Sequence, residues 1–198
     1  MFLKIFPNIA LSDLAPMIGA AVYGAVAASV YGIIHDQVTY TISPEYYTKL
    51  KFHQFSYANF GFGDRIFVAE VGVVATWWVG LFCAWFLARR WIPGQPRAVA
   101  VRQISIGCAI IFLSAVIAAV VGYIYGIWRG PDADYKIWRP LLNELDIIDR
   151  WSFVRVAYIH EASYTGGLLG FLIAMFFLRP NRSQACQNKI PEVPLENS

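Results

Sequence analysis

A chain of 198 residues that is 58% hydrophobic and 15% charged leaves nothing outside its apolar runs from which to build a separate soluble core, and a net charge of +3 gives no basic face for nucleic acid. Cys83 and Cys108 fall within apolar runs and Cys186 near the C-terminus, so no disulfide framework ties the hydrophilic connections. Four apolar runs dominate instead: Ala15–Ile34, Ile66–Ala88, Ile104–Trp128 and Ala162–Leu178, of 20, 23, 25 and 17 residues. A lipid-crossing helix needs about 20. The predicted fold is all-α, a four-transmembrane-helix bundle over residues 1–178 with spans at about 15–34, 66–88, 104–128 and 152–178. Residues 179–198 form a polar tail expected to be disordered.

The first run exceeds the 7–15 residues of a signal-peptide core, so it reads as a retained span. Ala20, Gly24, Ala28 and Gly32 recur every fourth residue along it, a small-residue stripe that lets another helix approach closely. The connection 35–65 opens with Val38–Ile42, whose β-branched and aromatic content predicts an extended segment. Ser43-Pro44-Glu45 then predicts the start of a short interfacial helix running to about Phe55. Tyr57, Phe60 and Phe62 suit a membrane–water belt, and Gly61 and Gly63 predict a turn into the second span.

The second span carries its own stripe, Gly72/Thr76/Gly80/Ala84, and ends in Arg89–Gln103, a 15-residue segment with four arginines and no acid. With these four included, lysines and arginines are shared eight and eight between the two sides, so the density of this segment sets the orientation. Both termini and the arginine segment are expected in the cytoplasm, the membrane being read as a bacterial cytoplasmic one. In the third span Ser114, Ala118, Gly122 and Gly126 repeat the first stripe at an offset of 94 residues. The same offset aligns Tyr31-Gly32-Ile33 with Tyr125-Gly126-Ile127. The connection 129–151 turns at Gly130-Pro131-Asp132 and starts an amphipathic helix at Pro140 that is expected to run into the fourth span. The stripe there, Ala162/Gly166/Gly170/Ala174, matches that of the second span at an offset of 90. The pattern reads as a duplicated helical hairpin with both long connections on the outer side.

Ionisable residues inside a span are costly and mark function by default. Counted from the inner span edges, His35, Glu70, His160 and Glu161 rise to one depth, about 26–30 Å up at 1.5 Å per residue. Arg155 is the expected counter-ion for Glu70 or Glu161, Glu70 is expected to meet His35 or His160, and Tyr164 shares a helix face with His160. His35, Glu70, His160 and Glu161 are of the types that ligate a metal, and two histidines at one depth also suit a haem. A structural hydrogen-bond network is the commoner use of such a layer, with no cofactor at all. His53, on the connection, reads as an ordinary interfacial side chain.

No catalytic motif appears: Gly-x-Ser-x-Gly, His-Glu-x-x-His and Cys-x-x-Cys are all missing, and Gly166-Gly167-Leu168-Leu169-Gly170 lies in a span rather than after a strand. The leading expectation is thus a non-enzymatic subunit or accessory of a membrane assembly. Its partners are lipid, other membrane proteins or a second copy, with no nucleic acid. A membrane redox or metal/haem-binding protein and a small ion- or proton-coupled transporter using Glu70 are the alternatives.

Overall fold

The computed structural model describes residues 9–178, so the expectations for the tail from Arg179 and for the first eight residues lie outside it. Four long helices carry the fold: α1 Leu11–Ile42, α4 Asp64–Trp91, α5 Arg97–Arg129 and α7 Arg150–Phe177. Between α1 and α4 come α2 Pro44–Tyr46, a π-helical turn Tyr47–Lys51, α3 Phe52–Gln54 and a 3-10 turn Ser56–Ala58; α6 Arg139–Glu144 lies between α5 and α7. No strand occurs among the described residues. Helices α1, α4 and α5 are long and apolar enough to cross a membrane. Helix α7 is as long as α4, but its first half carries Arg150, Arg155, His160 and Glu161, so it falls short of the same criterion. Val22, Val26, Val30 and Ile34 on α1 and Val120, Val121 and Ile124 on α5 are all more than half exposed, an apolar exterior suited to lipid and not to water.

The helices pair as two antiparallel hairpins, α1 with α4 and α5 with α7, and the small residues lie at their seams. A methyl group at Gly72 would come within 2.6 Å of the Gly32 backbone, and one at Gly122 within 2.5 Å of the Tyr158 carbonyl oxygen. Backbones this close leave room only for hydrogen there. Thr76 closes the first seam further, donating its hydroxyl to the Ala28 carbonyl at 2.8 Å and to the Gly72 carbonyl at 2.7 Å. The two hairpins do not share one packing register. Gly32 lies against Gly72, whereas Gly126, 94 residues on, lies against Arg155, 83 residues on from Gly72. The offset of 90 between the α4 and α7 stripes therefore aligns sequence without aligning contacts.

Two boundaries differ from expectation. Helix α1 continues through Val38–Ile42, where packing buries Asp36 and Thr39 and where Thr39 and Thr41 satisfy their hydroxyls on the His35 and Gln37 carbonyls at 2.9 Å. Pro44 stops it, holding Ser43 in an extended conformation at φ −143°. Helix α6 does not run into α7. The chain breaks at Asp146, whose φ of 49° is left-handed, and α7 starts anew with the Asp149 carboxylate capping the Ser152 N–H at 3.0 Å.

The connection between α1 and α4 and the connection between α5 and α7 are clasped together. Glu45 accepts from the backbone N–H groups of Ile148 and Asp149 at 3.2 and 2.8 Å and pairs with Lys49 at 3.1 Å, while Lys49 also donates to the Asp146 carbonyl. Burial works against the Glu45 charge, but these donors outweigh it and hold the carboxyl below its usual value. Beneath the clasp Tyr46, Tyr47, Leu142, Ile147, Phe153 and Val154 form a buried core. A second core, of Met17, Leu87, Trp91, Ile104 and Met175, closes the opposite end of the bundle.

Candidate functional site

Two of the three histidines in the chain meet under the connection between α1 and α4. His35 on α1 and His160 on α7 pack edge to face with ring centroids 4.7 Å apart. His160 is 2% exposed, and beside the pair lies Asp36, 5% exposed. One ligand atom from each of His35, Asp36 and His160 falls within 4.8 Å of the others, among the described residues the one such group of metal-ligating side chains.

Hydroxyl groups surround the three. Tyr31 lies with its oxygen 3.3 Å from His35 Nδ1 and 2.6 Å from Ser163 Oγ, and Tyr164 lies 3.3 Å from His160 Nδ1. The Nδ1 atoms of both rings are thus held by phenols one helical turn away on the same helix. His35 Nε2 is buried without a partner, and His160 Nε2 has only long contacts, 3.5 Å to Thr39 Oγ1 and 3.4 Å to the Tyr47 hydroxyl. Imidazoles held at Nδ1 and open at Nε2 have the arrangement of metal-ligating histidines with their supporting shell.

The outer connection roofs the site. Tyr46 stacks on His160 at 5.1 Å with the rings 15° from parallel, and Tyr47, fully buried, places its hydroxyl 2.6 Å from Thr39 Oγ1. Burial, then the Asp36 charge, raises the Tyr47 phenol well above its ordinary value. Lys51 lies over the Tyr46 ring at 5.8 Å and the Phe55 ring at 5.6 Å. Burial pushes its ammonium below the usual lysine value, with the charge of Asp36 acting in the opposite sense.

The sequence-predicted layer is only partly assembled. His35, His160 and Tyr164 come together. Glu70 meets neither a histidine nor an arginine: its carboxylate accepts from the Phe60 N–H at 3.3 Å, under the loop that leads into α4. Glu161 is exposed in an open groove between α5 and α7, turned away from its neighbour His160 by the helical step. Arg155 is no counter-ion to either acid. Its guanidinium stacks over Trp151 at 4.5 Å and Tyr123 at 5.7 Å and bonds Ser152 Oγ at 3.0 Å. His53 is exposed, as an interfacial side chain would be. A haem does not fit between the two histidines, because rings in edge-to-face contact at 4.7 Å leave no space for a porphyrin plane between them.

Asp36, Tyr47 and Thr39, with Tyr31, Ser163, Tyr46 and Lys51 around them, are the residues missed in the sequence. Asp36 had a signal: it is the next step of the four-residue series Ala20, Gly24, Ala28, Gly32. No protein-family model matches the chain, and no curated protein or solved structure matches it either.

Proposed function

We propose that this is a four-span integral membrane protein, with both termini on the cytoplasmic side, that holds one divalent first-row transition-metal ion between His35, Asp36 and His160. The membrane part is supported by three long apolar helices. A fourth crossing by α7 is supported by its pairing along α5: at 28 residues and 1.5 Å each it is about 42 Å long, enough to match its neighbour through a bilayer. Arg150 and Arg155 then sit near the outer headgroups, where long basic side chains are tolerated. A cysteine introduced at the exposed Ile148 in a cysteine-free variant should react with an impermeant maleimide on intact cells, and one at Gln95 only after permeabilisation. The opposite pattern inverts the topology.

The observation that carries the metal reading is the 4.8 Å cluster of two imidazoles and one carboxylate. Two histidines and a carboxylate with positions left open are a ligand set for iron, manganese or zinc. We prefer this reading to the accessory-subunit one because His35 Nε2 is buried without a partner, an atom that a purely structural network would satisfy. It displaces the Glu70-coupled transporter because Glu70 lies elsewhere, on the Phe60 amide. Purified protein titrated with Co(II) should bind one ion per chain and develop a ligand-field spectrum. His160→Ala and Asp36→Asn should weaken binding at least 100-fold, whereas Glu70→Gln and Glu161→Gln leave it unchanged. Equal loss in all four variants, or no stoichiometric binding in the wild type, would overturn the reading.

A further inference from the structure

We infer that the Tyr47 phenol is a fourth ligand of this metal, bound as phenolate, so that two bundle helices and the outer connection grip the ion together; the inference rests on the metal reading above. The first support is distance. Ligand atoms 2.0–2.2 Å from a four-coordinate ion lie roughly 3.3–3.6 Å from one another, and the Tyr47 hydroxyl is 3.4 Å from His160 Nε2. The second is enclosure. Tyr47 is fully buried, its hydroxyl lies 2.6 Å from Thr39 Oγ1, and its ring is fixed by edge-to-face contacts with Tyr40 at 5.5 Å and Tyr46 at 5.7 Å.

Backbone and charge point the same way. Tyr47 opens a π-helical turn that ends at Lys51, and such turns concentrate where function is built. A divalent ion with two neutral imidazoles and one carboxylate keeps an unbalanced positive charge, to which the Lys51 ammonium adds another. An anionic oxygen from Tyr47 removes one of them in a place where water cannot. On binding, the metal–oxygen bond forms as the phenol O–H bond breaks, and the proton leaves to bulk water without any transfer of electrons.

Iron is the probe, because Fe(III)–phenolate pairs absorb in the visible through charge transfer from the phenolate. Fe(II) is added to purified protein without oxygen and the complex is then oxidised in air. Wild type should become coloured at one iron per chain, with tyrosinate ring modes enhanced in the resonance Raman spectrum. With iron in excess, Tyr47→Phe should still take up the metal and lose the band entirely, whereas Tyr46→Phe keeps it. A band that survives in Tyr47→Phe, or wild type that binds iron without the band or the Raman modes, overturns the phenolate ligand and leaves the three-residue site standing. Wild type that binds no iron overturns both. Where Tyr47→Phe fails to fold, a wild-type complex without tyrosinate modes still overturns the phenolate ligand.

Discussion

Gly32→Ala is expected to destabilise the protein by about 2–3 kcal/mol, near the upper end of what overpacking costs. The methyl group has nowhere to go: it would overlap the Gly72 carbonyl oxygen and lie 2.5 Å from Thr76 Oγ1, which is itself bonded to the Gly72 and Ala28 carbonyls. A flexible side-chain end swings aside at little cost, but a backbone carbonyl moves only with its helix. The α1–α4 seam must therefore open along its length. Gly19→Ala is the matched control, since nothing lies within 4 Å of a methyl group there and the gain in helix propensity is about 0.5–1 kcal/mol. Thermal unfolding in detergent reads both. A Gly32→Ala protein that melts with the wild type would mean the seam is looser than its contacts show.

Gly32 also explains how much of the site was legible in the sequence. A four-residue series of small side chains marks one face of a helix, and the structure puts that face against α4 in the first hairpin and against α7 in the second. Continued by one step the series reaches Asp36, yet the apolar run ends at Ile34 and β-branched residues follow, so residues from His35 onward read as a connection. Tertiary packing overrides that propensity, since Asp36 and Thr39 are buried against the bundle, and the helix carries Asp36 into the chamber. The missing fact was the helix end, not the chemistry.

Glu70 shows the complementary failure. Counting residues from a span edge fixes height along a helix, and Glu70 does lie toward the outer end of α4, within reach of the Phe60 amide. Height says nothing of rotation about the axis, and only contacts with a neighbouring helix settle that. Tyr47 was beyond sequence reasoning for a third reason: it is placed by contacts across the fold, its hydroxyl on Thr39 and its ring beside His160, which no local period encodes. The aromatic residues of the connection were legible as a group suited to a membrane surface, but not as the roof of a site.

The roof links stability to the site, and Phe153→Ala tests that link with the largest effect expected of any single change here. Phe153 is fully buried in the outer core, with its ring centroid 5.1 Å from that of Tyr46, which in turn lies 5.1 Å from His160. Truncation removes a whole ring beneath the roof and should cost about 3–5 kcal/mol, because its neighbours Leu142 and Ile147 belong to the connection between α5 and α7 and Tyr46 to the connection between α1 and α4, and they cannot all collapse into the space. Phe153→Leu retains most of the volume and should cost less than about 1.5 kcal/mol. Tyr46 loses the surface that holds it flat against His160, so Co(II) affinity should fall as well, by roughly 10–100-fold, as for lost supporting contacts at metal sites. Thermal unfolding and Co(II) titration of the same preparations separate the two effects. Stability that falls while metal affinity stays at the wild-type value would show that the roof packs over the site without positioning it.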